Sequence, residues 1–89
     1  MIPNFRMSVS TNRVTGEILA VYFRFRKGRV SETRAFAGGA AFANYSKNGD
    51  LLGIELLGPC KLSVLDKISL DRDSKRFVER SVPREMALA

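Results

Sequence analysis

The sequence predicts an α+β domain: an antiparallel β-meander of four to five strands with a C-terminal helix and tail. Short segments rich in β-branched and aromatic residues alternate with turn-forming residues, and a three-residue apolar spacing follows the last of them. The 89 residues are the size of one domain. We assign residues 1–70 to the meander and its helix, and residues 71–89 to a marginally helical C-terminal tail.

Alternation and composition locate the strands. A weakly alternating first strand is predicted at residues 5–10, and the second strand, ILAVYFRF, at residues 18–25. Three more strands are predicted at residues 29–36, 40–45 and 51–57. The core is expected to form where one face of the second strand meets one face of the fifth. These faces are made by Leu19, Val21, Phe23 and Phe25, and by Leu52, Ile54 and Leu56.

The turns are predicted from residues that tolerate unusual backbone angles. Lys27–Gly28 is interpreted as a tight hairpin between the second and third strands, and Ala37–Gly39 as the next turn. Asn48–Gly49 is the strongest hairpin signal, because a type I′ turn needs positive φ at both central residues. Gly58–Pro59 is expected to end the sheet, since proline cannot donate to a strand ladder.

Helical spacing replaces alternation after the sheet. Leu62, Leu65 and Ile68 recur every third residue, which predicts a helix. Asp71 or Asp73 is expected to cap a second helical segment that continues to Ser81.

The inventory of reactive residues argues against an enzyme. There is no histidine, and the nine acidic residues are scattered. Gly38–Gly39 lacks the lysine and the helix of a phosphate-binding loop. The single cysteine, Cys60, is interpreted as a buried structural residue rather than a nucleophile. We therefore predict no catalytic residue, no metal site and no cofactor.

The same composition bears on location. A lone cysteine allows no intramolecular disulfide, which fits a reducing cytoplasm. The first ten residues, MIPNFRMSVS, lack the apolar stretch that is typical of a signal peptide. No apolar run approaches the roughly 20 residues that a membrane-spanning helix needs. A cytoplasmic protein without membrane contact is expected.

One stretch resembles a known family. Leu19, Tyr22, Phe23 and Thr33, followed by the run NYSKNGDLLGIELL at residues 44–57, are similar to the YuzE-like family of small bacterial proteins, a domain of unknown function. The tail at residues 76–85 is similar to tails that follow this domain in some members. The resemblance implies a compact meander with a C-terminal helix and an antitoxin-like role. Where this family carries acidic residues in its turn, the chain has Asn44, Ser46 and Lys47.

Charge suggests a second class of partner. The net charge of +6 favours acidic partners such as nucleic acid. Five basic residues cluster around the predicted Lys27–Gly28 hairpin, with Tyr22 beside them, and could follow phosphates. The alternative is a solvated surface or a protected sheet edge, and no helix-turn-helix or RNA-recognition motif is present. The five are Arg24, Arg26, Lys27, Arg29 and Arg34.

Two further residues have both a structural and a functional interpretation. Glu55 either forms a cross-strand ion pair with one of Arg24, Arg26 and Arg34, or acts as a recognition residue at an interface. Phe77 either docks on the exposed side of the sheet or anchors the tail on a partner.

These observations favour a small protein-interaction module, antitoxin-like or regulatory, that acts as a homodimer or with a small protein partner such as a toxin. The alternative is a nucleic-acid-binding protein that uses the basic hairpin. The dimer is expected because the single helix at residues 62–68 can cover only part of one face of the sheet. The alternative is a monomer in which Phe77, Val78 and Val82 of the tail dock on the other face. Four residues are expected on the other face: Ile18, Tyr22, Phe36 and Phe42.

Overall fold

The computed structural model describes residues 4–58, 60–84 and 87–88. Five strands form one antiparallel sheet: β1 (Arg6–Thr11), β2 (Ile18–Arg24), β3 (Glu32–Phe36), β4 (Ala41–Tyr45) and β5 (Leu51–Leu57). The short β6 (Cys60–Lys61), a 3₁₀ helix (Leu62–Lys67), α1 (Arg72–Ser81) and β7 (Ala87–Leu88) follow, and β7 pairs in parallel with β6. The predicted α+β fold is confirmed. No helix in these ranges is long and apolar enough to cross a bilayer.

The strands lie in the order β1-β2-β5-β4-β3, so the predicted hairpin at Lys27–Gly28 is wrong. The backbone N–H groups of Phe25 and Arg26 both donate to the carbonyl of Leu52, at 2.8 and 3.3 Å. These bonds keep the chain on β5 beyond the end of β2, so it does not reverse onto β2. The segment between β2 and β3 instead crosses to the opposite edge of the sheet.

One face of the sheet, the core face, is covered by the 3₁₀ helix and α1. The predicted contact between β2 and β5 is confirmed for Val21, Phe23, Ile54 and Leu56, which share one buried cluster. Leu52 is also buried, and its side chain lies against Gly28. The 3₁₀ helix contributes Val64 and Leu65 to the cluster, Ile68 follows directly after that helix, and α1 contributes Val78.

Leu19 is not a core residue, contrary to the alternation of its strand. The residue is 48% exposed. The register shifts from Ser10 opposite Ala20 to Thr11 opposite Ile18, which leaves Leu19 as the extra residue of a β-bulge. The bulge turns Ile18 towards the core, where Phe36 also packs. Both residues were expected on the opposite face.

The segment after the sheet is a 3₁₀ helix rather than an α-helix. Apolar residues spaced three apart fit the three residues per turn of that helix. Leu65 and Ile68 are buried, and Leu62 packs at the margin of the core.

The helix α1 also lies on the core face. Val78 is fully buried, and the ring of Phe77 stacks on Phe5 at 4.9 Å and meets Phe23 edge-on at 5.7 Å. Phe77 therefore holds α1 on the core face, and not on the exposed side of the sheet where it was expected to dock.

Asp71, one of the two residues predicted to cap the helix, is the N-terminal cap of α1. Its carboxylate accepts a hydrogen bond from the Ser74 backbone N–H at 2.7 Å, and Arg26 Nη2 lies 3.2 Å from its other oxygen. The Ser74 hydrogen bond is the main reason that the pKa of Asp71 lies below its usual value.

Replacing Asp71 by Ala should lower the free energy of unfolding by about 1 kcal/mol at neutral pH. A carboxyl whose pKa is lowered by folding stabilises the fold above its unfolded pKa of about 3.9. That contribution disappears as the pH falls through the lowered folded pKa. In urea unfolding, the difference in the free energy of unfolding between the parent and Asp71→Ala should therefore become smaller below about pH 4. Asp71→Asn is the control, because its amide oxygen caps the helix without titrating.

The Asn48–Gly49 turn is confirmed, although its geometry is not type I′. The Gly49 N–H donates to the Ser46 carbonyl at 3.0 Å, and the Ser46 N–H donates to the Asp50 carbonyl at 2.9 Å. Gly49 has φ +87°, whereas Asn48 is not among the described residues with positive φ. This is the three-residue hairpin loop in which a type I turn precedes a left-handed glycine.

Gly49→Val should destabilise the domain by about 1–2 kcal/mol, because a β-branched residue is strained at positive φ. Gly49→Asn is the matched control, since asparagine tolerates this conformation. Thermal melts of the two variants should differ, and equal melting temperatures would contradict the turn geometry.

Candidate functional site

The face opposite the core face, which we call the outer face, has a row of half-buried side chains at its centre. Tyr22 on β2 and Phe42 on β4 both lie opposite Glu55 on β5. The row ends at Ser8 on β1 and Ala35 on β3. Because the 3₁₀ helix Leu62–Lys67 and α1 pack on the core face, neither of them covers this row.

Gly53 gives the Tyr22 side chain its position. A Cβ atom on Gly53 would come within 2.6 Å of the Tyr22 hydroxyl oxygen, so the tyrosine lies directly over the glycine. Asn44 Nδ2 donates to that hydroxyl at 3.3 Å, and Thr33 Oγ1 donates to Asn44 Oδ1 at 2.8 Å. The ring is therefore fixed across three strands before any partner binds. The sequence did not identify Gly53 and Asn44 as site residues. No local pattern shows that a glycine packs against a tyrosine from another strand.

Glu55 does not form the expected cross-strand ion pair. None of the ion pairs in the described ranges includes it. Arg24, on the same face, is opposite Gly53 and not opposite Glu55. Its Nε donates to the Arg26 carbonyl at 3.0 Å, and its Nη2 donates to the Gly28 carbonyl at 2.7 Å. The loop carbonyls thus engage this guanidinium. Glu55 is half-buried, and its cross-strand neighbours are the aromatic residues Tyr22 and Phe42.

The five basic residues predicted to form one patch are separated. Arg26 binds Asp71 at the start of α1. Arg34 lies at the β3 edge, 4.8 Å from the centre of the Tyr45 ring, and pairs with Glu32, whose pKa it lowers by hydrogen bonding and charge. Lys27 and Arg29 are exposed in the crossing segment. The expected cluster depended on a hairpin that does not form.

Cys60 is buried, as expected, and burial raises the pKa of its thiol. The thiolate that reacts as a nucleophile is therefore disfavoured. In the parts of the chain that the structure describes, no group of three or more Cys, Asp or Glu side chains is placed to hold a metal ion.

Comparison with known proteins found no family model, no curated protein and no solved structure that matches this chain. The resemblance to the YuzE-like family therefore stays a prediction.

Proposed function

We propose that this protein is a small protein-interaction module, antitoxin-like or regulatory, that binds a protein partner through its outer face. One observation carries the proposal. The chain has 15 lysines and arginines, yet no ion pair within the described residues includes Glu55, a half-buried residue whose cross-strand neighbours are Tyr22 and Phe42.

This arrangement suits a basic side chain of a partner. A lysine or arginine inserted beside Glu55 would form a charge-assisted hydrogen bond with the carboxylate. Its positive charge would also lie against the rings of Tyr22 and Phe42, where cation–π attraction contributes further. A partner with a basic residue in an apolar surface, as on a small basic toxin, fits both features.

The fixed position of Tyr22 supports a binding role for this row. Hydrogen bonding through Asn44 and Thr33 removes rotational freedom that the tyrosine would otherwise lose on binding. Prior ordering of this kind lowers the entropic cost of association.

A photoreactive amino acid at Leu57 tests the proposal in cells. Leu57 belongs to the outer face, opposite Ala20, and is 37% exposed. Glu79, exposed on α1 on the other side of the sheet, is the matched control position. We expect one protein partner to cross-link at position 57 and not at 79, with a yield that Glu55→Gln lowers about tenfold. Equal capture at both positions, or no effect of Glu55→Gln, would overturn the proposal.

Nucleic-acid binding through the basic residues is the alternative function. Arg24, Arg26 and Arg34 are each engaged in contacts within the domain, which leaves Lys27 and Arg29 as the exposed pair for phosphates. This distribution favours the protein partner.

Fluorescence anisotropy with a DNA duplex checks the alternative. If Lys27→Ala/Arg29→Ala weakens binding and Arg13→Ala/Lys47→Ala does not, the basic segment is a nucleic-acid site. Equal losses in the two double variants would indicate attraction by net charge alone.

A further inference from the structure

The two edges of the sheet differ in how they are protected against pairing with another strand. The β3 edge is five residues long and carries the charged pair Glu32 and Arg34. The β1 edge is six residues long, RMSVST, is exposed throughout and has Arg6 as its one charge. Charged side chains discourage strand addition, so β1 is the open edge.

Apolar side chains line the β1 edge on the side of the core face. Met7 lies opposite Phe23 and Val9 lies opposite Val21, yet they remain 42% and 41% exposed. Phe5, one position before β1, is 37% exposed although it stacks on Phe77. The covering helices therefore stop short of β1 and leave an apolar strip.

The backbone N–H and C=O groups of Met7 and Val9 are also free to pair with another strand. The Asn4 N–H donates to the Phe25 carbonyl at 2.7 Å, and the Asn12 N–H donates to the Glu17 carbonyl at 2.8 Å. Hydrogen-bonding direction alternates along an antiparallel strand, so the even-numbered residues face β2. Met7 and Val9 therefore direct their N–H and C=O groups outwards.

We propose that β1 pairs with β1 of a second copy of this chain, antiparallel about a twofold axis at Ser8. Met7 then faces the partner's Val9, with both side chains on the core face. Arg6 faces the partner's Ser10, so no like charges meet. The two five-stranded sheets become one sheet of ten strands.

Two requirements exclude the registers in which the axis lies between two residues. Outward hydrogen bonds allow only odd-numbered residues to pair with odd-numbered residues, and the side-chain faces impose the same rule. An axis between Ser8 and Val9 would violate both. An axis at Ser8 pairs residues 5–11 of each copy and so includes Phe5 of the apolar strip. An axis at Val9 pairs residues 7–11 and leaves Phe5 out, and an axis at Met7 pairs only residues 6–8 of β1.

This inference goes beyond the proposed function, because the outer face of each copy stays uncovered in the dimer. A variant that loses dimerisation can still cross-link a partner at position 57. The dimer and the partner site therefore succeed or fail separately.

Light scattering during size-exclusion chromatography should give a mass twice the 9.9 kDa of one chain. Val9→Lys should convert the protein to monomer with an unchanged circular dichroism spectrum, since residue 9 makes no hydrogen bond to β2. Ser31→Lys, at an exposed residue beside β3 on the opposite edge, should remain dimeric. A parent that elutes with the mass of one chain would overturn the proposal.

A disulfide tests the register without weakening the interface. Ser8 faces itself across the axis in a non-hydrogen-bonded pair, where Cα atoms approach to about 4.5 Å and a disulfide fits. Ser8→Cys should form a covalent dimer under mild oxidation, whereas Ser10→Cys, which faces the partner's Arg6, should not. The buried Cys60 provides the internal background. Equal cross-linking of the two variants, or none with Ser8→Cys, would refute this register.

Discussion

Ile54→Ala is expected to lower the free energy of unfolding by about 2–4 kcal/mol, a large part of the stability of a domain this small. Ile54 is fully buried on β5, with Phe23 opposite it on β2 and Ala43 opposite it on β4. Strands on both sides hold these neighbours in place. The cavity left by truncation therefore cannot collapse, and its cost adds to the lost burial.

Two controls separate burial from position in the sheet. Ile54→Val, which removes one methylene, should cost about 0.5–1.5 kcal/mol. Leu57→Ala, on the same strand but partly exposed on the outer face, should cost less than Ile54→Ala. Urea unfolding followed by circular dichroism measures all three. An Ile54→Ala variant within about 0.5 kcal/mol of the parent would contradict the described core.

Gly53→Ala should destabilise the domain by about 2–3 kcal/mol. The new Cβ would lie 2.6 Å from the Phe23 carbonyl oxygen and 2.6 Å from the Tyr22 hydroxyl oxygen. The carbonyl belongs to the backbone of the neighbouring strand, so relief of this contact requires a shift of the strand itself. Without such contacts, a glycine-to-alanine change at ordinary φ would stabilise the fold by restricting the unfolded chain. The sign of the effect thus tests the geometry.

The Tyr22→Phe background divides this cost between its two sources. Removing the hydroxyl relieves one contact and leaves the carbonyl in place. Gly53→Ala should therefore cost less in Tyr22→Phe than in the parent, but still destabilise it. Thermal unfolding of the four proteins completes the cycle. Identical costs in the two backgrounds would mean that Tyr22 does not lie over Gly53.

The local features of the fold were predictable from the sequence. Alternation located β1, β2 and β5, and turn residues marked the loops at Ala37–Gly39 and Asn48–Gly49. The order of the strands was harder to predict, because alternation shows which side chains share a face of a strand but not which strand lies beside it. The chain leaves β2 along β5 because of backbone hydrogen bonds to Leu52, which no side-chain pattern encodes. The bulge at Leu19 is a similar case, since it depends on the register of β1.

Strand alternation predicted the part of the candidate site that depends only on which face of its strand a residue occupies. Tyr22 and Glu55 were assigned to the faces opposite the core residues of their strands, and the structure brings them together. Their exact pairing, and the place of Gly53 and Asn44 beneath and beside Tyr22, depend on the alignment of β2, β5 and β4. The prediction of one basic cluster was wrong for the same reason. Residues that are close in the sequence end up far apart when the segment between them crosses from one strand to the opposite edge of the sheet.

The strand order has a consequence for how the chain folds. The β1–β2 hairpin and the β3–β4–β5 meander each close through short loops, but the seam where Phe23 meets Ile54 joins residues about thirty positions apart. The entropic cost of loop closure is therefore largest for this seam. We expect the β1–β2 hairpin and the β3–β4–β5 meander to form early and to dock on each other late. In stopped-flow refolding, truncation of Val9, inside the early hairpin, should mainly slow folding, whereas truncation of Phe23 or Ile54, at the seam that docks late, should mainly speed unfolding.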